Sequence, residues 1–177
     1  MIYSGRFRVT SPYGQRILNG TAENHRGIDV VGILEKYICA VADGVVAVSQ
    51  IVTDRSNRTW EWGNYVCVNG DDGMWYYYCH LDRRLVSAGQ RVKKGDHIGV
   101  EGNTGYSFGS HCHFEVRNSS NRSVDPAPYL GISNAVGVYG RDYREECREK
   151  YGFSDVTMRY LDGYTYAADL YRRMMER

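Results

Sequence analysis

The chain has 177 residues, 42% of them hydrophobic and 24% charged, which suits one globular domain with a small appendage and excludes disorder, collagen and coiled coil. Twenty-two Lys and Arg against 21 Asp and Glu leave a formal charge of +1, so no global field draws the protein to nucleic acid or to anionic lipid. The longest apolar runs, such as residues 45–48, fall far short of the roughly 20 residues that cross a bilayer. Residues 1–6 open no signal peptide. A nucleic-acid partner and membrane insertion are therefore not expected.

Residues 1 to about 132 hold most of the glycines and alternate short Val-, Ile- and Tyr-rich runs with turns. The turns fall at Asn19-Gly20, Asp43-Gly44, Asn69-Gly70, Asp72-Gly73, Lys94-Gly95-Asp96 and Gly102-Asn103. Short strands at this spacing predict a mainly β fold: an antiparallel sheet, sandwich or barrel-like domain. From Asn134 the pattern changes to clustered charges with apolar residues three and four apart, as in Tyr143, Cys147, Tyr151 and then Leu170, Met174. That predicts three short helices, roughly 140–151, 155–163 and 165–176, with Phe153-Ser154-Asp155 as hydrophobic staple and N-cap of the second. The expected division is 1–132 for the β domain and 133–177 for a helical appendage. About 45 residues make a marginal core of their own, which favours a clip packed on the β domain or on a second copy over an independent binding module.

Five cysteines, at 39, 67, 79, 112 and 147, are an odd number without a C-x-x-C pair, and read as reduced thiols. Tyr37-Ile38-Cys39-Ala40-Val41 and Tyr65-Val66-Cys67-Val68 are strand-like contexts in which a thiol serves as a small apolar group. Sixteen tyrosines against four phenylalanines supply aromatic area with polar tips, suited to a wet groove.

The histidines carry the chemistry. In Ser110-His111-Cys112-His113-Phe114-Glu115-Val116, strict alternation places His111, His113 and Glu115 on one strand face and Cys112, Phe114 and Val116 on the other, toward the core. Two histidines so spaced lie about 6 to 7 Å apart, so one can bind a metal while the other reaches the chemistry beside it. In Asn24-His25-Arg26-Gly27-Ile28-Asp29 a straight strand would hold His25 and Asp29 about 13 Å apart, so the chain must bend, and Gly27 permits it. His25, Asp29 and His113 would then form a His-His-carboxylate zinc site with its fourth position open, which is the catalytic arrangement. Zinc acidifies water and polarises a carbonyl, the equipment for amide hydrolysis. His111 could take the proton and His80 could assist or stabilise the oxyanion. The plainer alternatives are a strand-end histidine at His80 and an orienting residue at His111. Glu115 is a candidate supporting carboxylate, and His97 reads as a structural turn residue.

With those residues in hand, the chain resembles the lysostaphin- or LytM-type zinc metallopeptidases, which cut peptidoglycan peptides. The likeness runs from Ser11-Pro12-Tyr13-Gly14-Gln15-Arg16 through the H-x-G-x-D of His25 to Asp29, Ala42-Asp43-Gly44-Val45-Val46, Gly63-Asn64-Tyr65-Val66 and Tyr78-Cys79-His80-Leu81. It continues through residues 88–96, Gly102-Asn103-Thr104-Gly105, the segment from Gly109 to Val116, and Val124-Asp125-Pro126. The resemblance implies a mostly antiparallel sheet under a long groove, one zinc per chain on His25, Asp29 and His113, and His80 with His111 as the catalytic pair. Cys112 stands where the family often has leucine. Alternation is expected to turn both Cys112 and Cys79 away from the metal.

Within residues 102–109, Asn103, Thr104, Tyr106 and Ser107 are candidates to hydrogen-bond a peptide in the groove, or else turn formers. The expected partner is bacterial peptidoglycan peptide. Without an export signal, the chain also resembles phage endolysins and virion-borne lysins, made in a host cytoplasm and released through a holin or carried on a particle; truncation of a longer secreted protein is the alternative. A zinc-less scaffold that binds the wall or activates another hydrolase is the rival from a different class, but such members typically lack ligands. A biotinyl or lipoyl carrier, suggested by residues 88–102, would need a lysine that residues 102–113 do not contain. The bond cleaved and the oligomeric state are left open.

Overall fold

The computed structural model describes residues 1–57 and 60–176. Its apolar runs form strands that end where the glycine turns fall. They are β1 (Phe7–Ser11), β2 (Gly14–Leu18), β3 (Thr21–His25), β4 (Ile28–Gly32), β5 (Tyr37–Cys39), β6 (Gly44–Ile51), β7 (Asn64–Gly70) and β8 (Trp75–Leu81). After them come β9 (Arg83–Arg84), β10 (Arg91–Val92), β11 (His97–Val100), β12 (Cys112–Arg117), β13 (Ser123–Val124) and β14 (Gly137–Tyr139). Among the described residues the four α-helices, α1 (Ala127–Leu130), α2 (Tyr143–Tyr151), α3 (Asp155–Asp162) and α4 (Ala167–Met175), all lie beyond residue 126. The fold is mainly β with antiparallel sheets and C-terminal helices, as the turn pattern implied. No helix among the described residues is long and apolar enough to cross a membrane.

One large sheet runs β10-β6-β7-β8-β12-β4-β1-β14, with β13 paired to the end of β12. A smaller sheet, β5-β11-β9, and the separate hairpin β2–β3 complete the β part. Period-two alternation gives the large sheet two different faces. One face carries Val9, Val30, Val68, Tyr78 and Phe114 into a core shared with Ile38 and Ile98 of the smaller sheet. The Tyr78 and Phe114 rings lie 5.1 Å apart there, and each such buried side chain contributes about 1.5–3 kcal/mol. The other face carries Asp29, His113, Glu115 and Arg117, bordered by a satellite cluster of Val52, Tyr65, Cys67 and Cys79. All five cysteines are buried and unpaired. Burial pushes the Cys39 thiol up to about 11 and that of Cys67 to about 12, which suits their use as small apolar groups.

The stretch expected to be a helical tail begins with a strand: β14 pairs with β1, Tyr139 opposite Phe7 and Gly137 opposite Val9. Helices follow close to the predicted positions. Asp142 caps α2 by accepting from the Glu145 N–H, and Ser154 caps α3 by accepting from Thr157, as Phe153-Ser154-Asp155 foretold. Tyr143, Cys147, Met158, Ala167 and Tyr171 form their own small core. The helices also touch the β part: Tyr166 stacks on Tyr37 at 5.0 Å, Tyr37 on His97 at 4.9 Å, and Arg6 pairs with Asp142 at 3.0 Å. His97 is thus a structural residue, though it begins a strand rather than occupying a turn.

Candidate metal centre and groove

The register of the central strands assembles the centre. β12 lies between β8 and β4, with His113 directly opposite Asp29, and Cys112, Phe114 and Val116 turned into the core as expected. His25 ends β3, which pairs with β2, and the chain then turns through Arg26 and Gly27 into β4. Gly27 is needed at this turn for space. A Cβ there would lie 2.5 Å from the Phe114 carbonyl oxygen and 2.7 Å from the His113 ring. The bend brings His25 Nε2 to 3.2 Å from Asp29 Oδ1, a pair the straight-strand distance had forbidden.

His113 Nδ1 closes the set, 2.9 Å from Asp29 Oδ1 and 3.1 Å from His25 Nε2. Tetrahedral zinc ligands at about 2.0–2.1 Å stand roughly 3.3 Å from one another, so these three atoms already have nearly the spacing of a zinc site. His25 Nδ1 lies 2.8 Å from the Pro12 carbonyl oxygen, a contact that fixes the ring with Nε2 facing the centre. Asp29 is pushed up by burial. Its bonds to His113 and His25 outweigh this and hold it well below the usual carboxylate range, so an anion is ready for a cation. Arg16 Nη1 reaches the other oxygen, Oδ2, at 3.2 Å and also donates to Ser11 Oγ at 2.7 Å. Arg16 received no role from the sequence. The signal was there, since the Asn19-Gly20 turn sets Arg16 opposite Glu23 in a hairpin.

His80 and His111 flank the cluster, their ring centroids 4.7 Å apart. Simple alternation from Tyr76 and Tyr78 would have sent His80 into the core. Instead Asn64 pairs with Leu81 and Val66 with Tyr78, so β8 carries one extra residue. His80 adopts a left-handed φ of 63° at this bulge, which re-aims its side chain. Its Nδ1 donates to the Thr104 carbonyl and that of His111 to the Gly109 carbonyl, both at 2.8 Å. Both Nε2 atoms thereby remain acceptors, and His111 Nε2 lies 3.7 Å from Asp29 Oδ1. Burial, then the neighbouring His111 and His113, pull His80 down to about 4, so it is neutral at pH 7.

The bulge corrects one expectation about the cysteines. Cys79 sits opposite His113 in the ladder and so shares its face, whereas Cys112 points to the core. Cys79 nevertheless lies in the satellite cluster and is kept protonated by burial; among the described residues only His25, Asp29 and His113 converge as metal-binding groups. Glu115 does not orient a histidine. Arg117 grips both its oxygens, at 2.9 and 3.0 Å, and Ser123 donates to it.

A groove of about 850 Å³ runs over the centre. Tyr106 and Ser107 line it, but Asn103 and Thr104 do not. The Thr104 hydroxyl is spent within the protein, donating to the Leu81 carbonyl and accepting from the Asn64 N–H, while its own carbonyl holds His80. Trp62 and Arg117, which the sequence left unassigned, also line the groove. Behind it lies a fully buried carboxylate, Glu101, which accepts from Tyr3 Oη, the Gly32 N–H, Lys36 Nζ and Ser110 Oγ at 2.7–2.8 Å. It ties the end of β4 to the residue preceding His111.

Known proteins resemble this chain in sequence and in fold. The peptidoglycan DD-endopeptidase ShyC of Vibrio cholerae is 39% identical over 111 residues, covering 61% of this chain and 24% of ShyC. The murein hydrolase activator NlpD of Escherichia coli is 35% identical over 106 residues, covering 60% of this chain and 26% of NlpD. The chain spans about a quarter of the length of these curated relatives. Among solved structures, the catalytic domain of the prophage-encoded M23 protein EnpA from Enterococcus faecalis superposes with a TM-score of 0.57 at 30% identity, over 68% of this chain and 88% of that one. Residues 23–126, which carry the three converging side chains and both flanking histidines, match peptidase family M23, and the chain belongs to that family.

Proposed function

We propose that this chain is a zinc-dependent endopeptidase that hydrolyses peptide bonds of bacterial peptidoglycan. The observation that carries this reading is the convergence of His25 Nε2, Asp29 Oδ1 and His113 Nδ1 beside two histidines whose Nε2 atoms are unspent. Zinc on those three atoms supplies a Lewis acid that polarises the scissile carbonyl and acidifies water. His111 Nε2 accepts the proton of the attacking water, and Asp29 nearby stabilises the charge it gains. His80, neutral and with Nε2 free, is a second acceptor; once protonated it donates to the oxygen developing on the tetrahedral carbon. Tyr106 and Ser107 wall the groove in which the peptide lies.

Elemental analysis for zinc, run beside turbidity clearing of several cell-wall preparations with and without a chelator, tests the reading. About one zinc per chain with chelator-sensitive clearing supports it. The likeness to NlpD favours a second reading, a non-catalytic activator. A zinc-loaded protein that clears no wall but stimulates another wall hydrolase would establish that instead.

A further inference from the structure

The two carboxylate oxygens of Asp29 have different surroundings. Oδ1 faces the centre, 2.9 Å from His113 Nδ1 and 3.2 Å from His25 Nε2. Oδ2 meets Arg16 Nη1 at 3.2 Å. The guanidinium is itself held from two further sides, since Nη1 donates to Ser11 Oγ at 2.7 Å and Nε to Glu23 Oε1 at 2.5 Å. β1, β3 and β4 thus each supply an acceptor, and the planar fork is fixed by protein contacts alone. The Arg16 and Asp29 side chains are only 25% and 14% exposed, so water screens the pair in part.

An ion pair within the β2–β3 hairpin accounts for Arg16 and Glu23, which stand opposite one another. It does not account for the reach of Arg16 to a ligand candidate in a different sheet. Zinc chemistry gives that reach a purpose. A carboxylate can bind through one oxygen or both, and a second bound oxygen takes up room at the position that water needs in a three-ligand catalytic site. We infer that Arg16 is a positioning residue: by holding Oδ2 it restricts Asp29 to one-oxygen ligation and keeps the metal's fourth position open. This rests on the peptidase reading above and adds a residue to it.

The test loads the full chain with cobalt(II), whose visible absorbance per ion falls when a four-coordinate site gains a fifth ligand. Alongside, the zinc-loaded proteins are compared in clearing a wall preparation. Arg16→Ala and Arg16→Gln should bind cobalt with weakened absorbance and clear walls about 10- to 100-fold more slowly. Added guanidinium ion, kept below unfolding concentrations, should restore both readouts in Arg16→Ala. Glu23→Ala loses the same hairpin ion pair but leaves Nη1 on Asp29, so it should keep the wild-type absorbance and lose at most about threefold in rate. Wild-type absorbance and rate in the Arg16 variants, or a Glu23→Ala protein that reproduces both losses, would overturn the inference. Using two Arg16 substitutions guards against one failing to fold. A wild type that binds cobalt but clears no wall refutes the peptidase reading alone, because the absorbance comparison still decides the role of Arg16.

Discussion

Replacing Gly27 by alanine adds one methyl group at the tightest point of the centre. The added Cβ would sit 2.5 Å from the Phe114 carbonyl oxygen and 2.7 Å from the His113 ring. These are about 0.9 and 0.7 Å inside the shortest ordinary contact, and the oxygen belongs to a strand backbone that cannot rotate away. Either β4 separates from β12 or the His113 ring moves by more than half an ångström. Metal–ligand distances tolerate about 0.2 Å, so zinc affinity should fall at least tenfold. Overpacking of this kind costs about 1–3 kcal/mol, roughly 2–12 °C in Tm for a chain of this size. Gly5→Ala is the control. Its Cβ would meet only Ala168, at an ordinary 3.6 Å, and its effect should stay within about 0.5 kcal/mol. Thermal unfolding in chelator measures the apo cost, and titration against a chromophoric zinc chelator measures affinity. A Gly27→Ala protein as stable and as zinc-avid as wild type would refute the close-approach argument.

His113→Ala should lose zinc and wall-clearing activity together, whereas His111→Ala should lose activity and keep most of the zinc; if both clear walls fully, the site assignment fails. Glu101→Gln replaces one of two acceptor oxygens with an amide facing existing donors. It should cost about 3 kcal/mol, read as a urea midpoint shift, and an unchanged midpoint would show that the carboxylate is not needed. In the tail, burial pushes Asp162 up, but Arg144 and the Tyr171 hydroxyl outweigh it and hold the group below its ordinary value. Its contribution is then fully present above about pH 4 and is lost as pH falls through the folded value. The stability gap between wild type and Asp162→Asn should accordingly narrow on acidification; a gap that is constant with pH would contradict this.

The features legible in the sequence were those set by local pattern. Alternation in residues 111–116 places His113 on the groove face and Phe114 in the core because the strand there is regular. Ser154 caps α3 because its hydroxyl meets an N–H three residues on, whatever the tertiary context. What stayed hidden depends on pairing between distant segments. The bulge that turns His80 out is defined only by its register with Asn64 and Val66, so alternation counted from an outward His80 put Cys79 on the wrong face. Thr104 looked available to a peptide because nothing local announces its bonds to Leu81 and Asn64, 23 and 40 residues away. β14 is three residues long, too short for periodicity to separate it from the helices that follow.

That short strand bears on how the protein can be cut. β14 covers the side of β1 that β4 leaves open, and the opposite border of the large sheet is the two-residue β10 with its exposed Arg91. A chain trimmed at residue 132, the expected boundary of the β domain, would bare the outward N–H and C=O groups of a strand that is hydrophobic on its inner face. Such a border recruits strands from other molecules. A shortened fragment prepared for use as a reagent should therefore retain the segment through Tyr139, or it should self-associate more readily than the full chain.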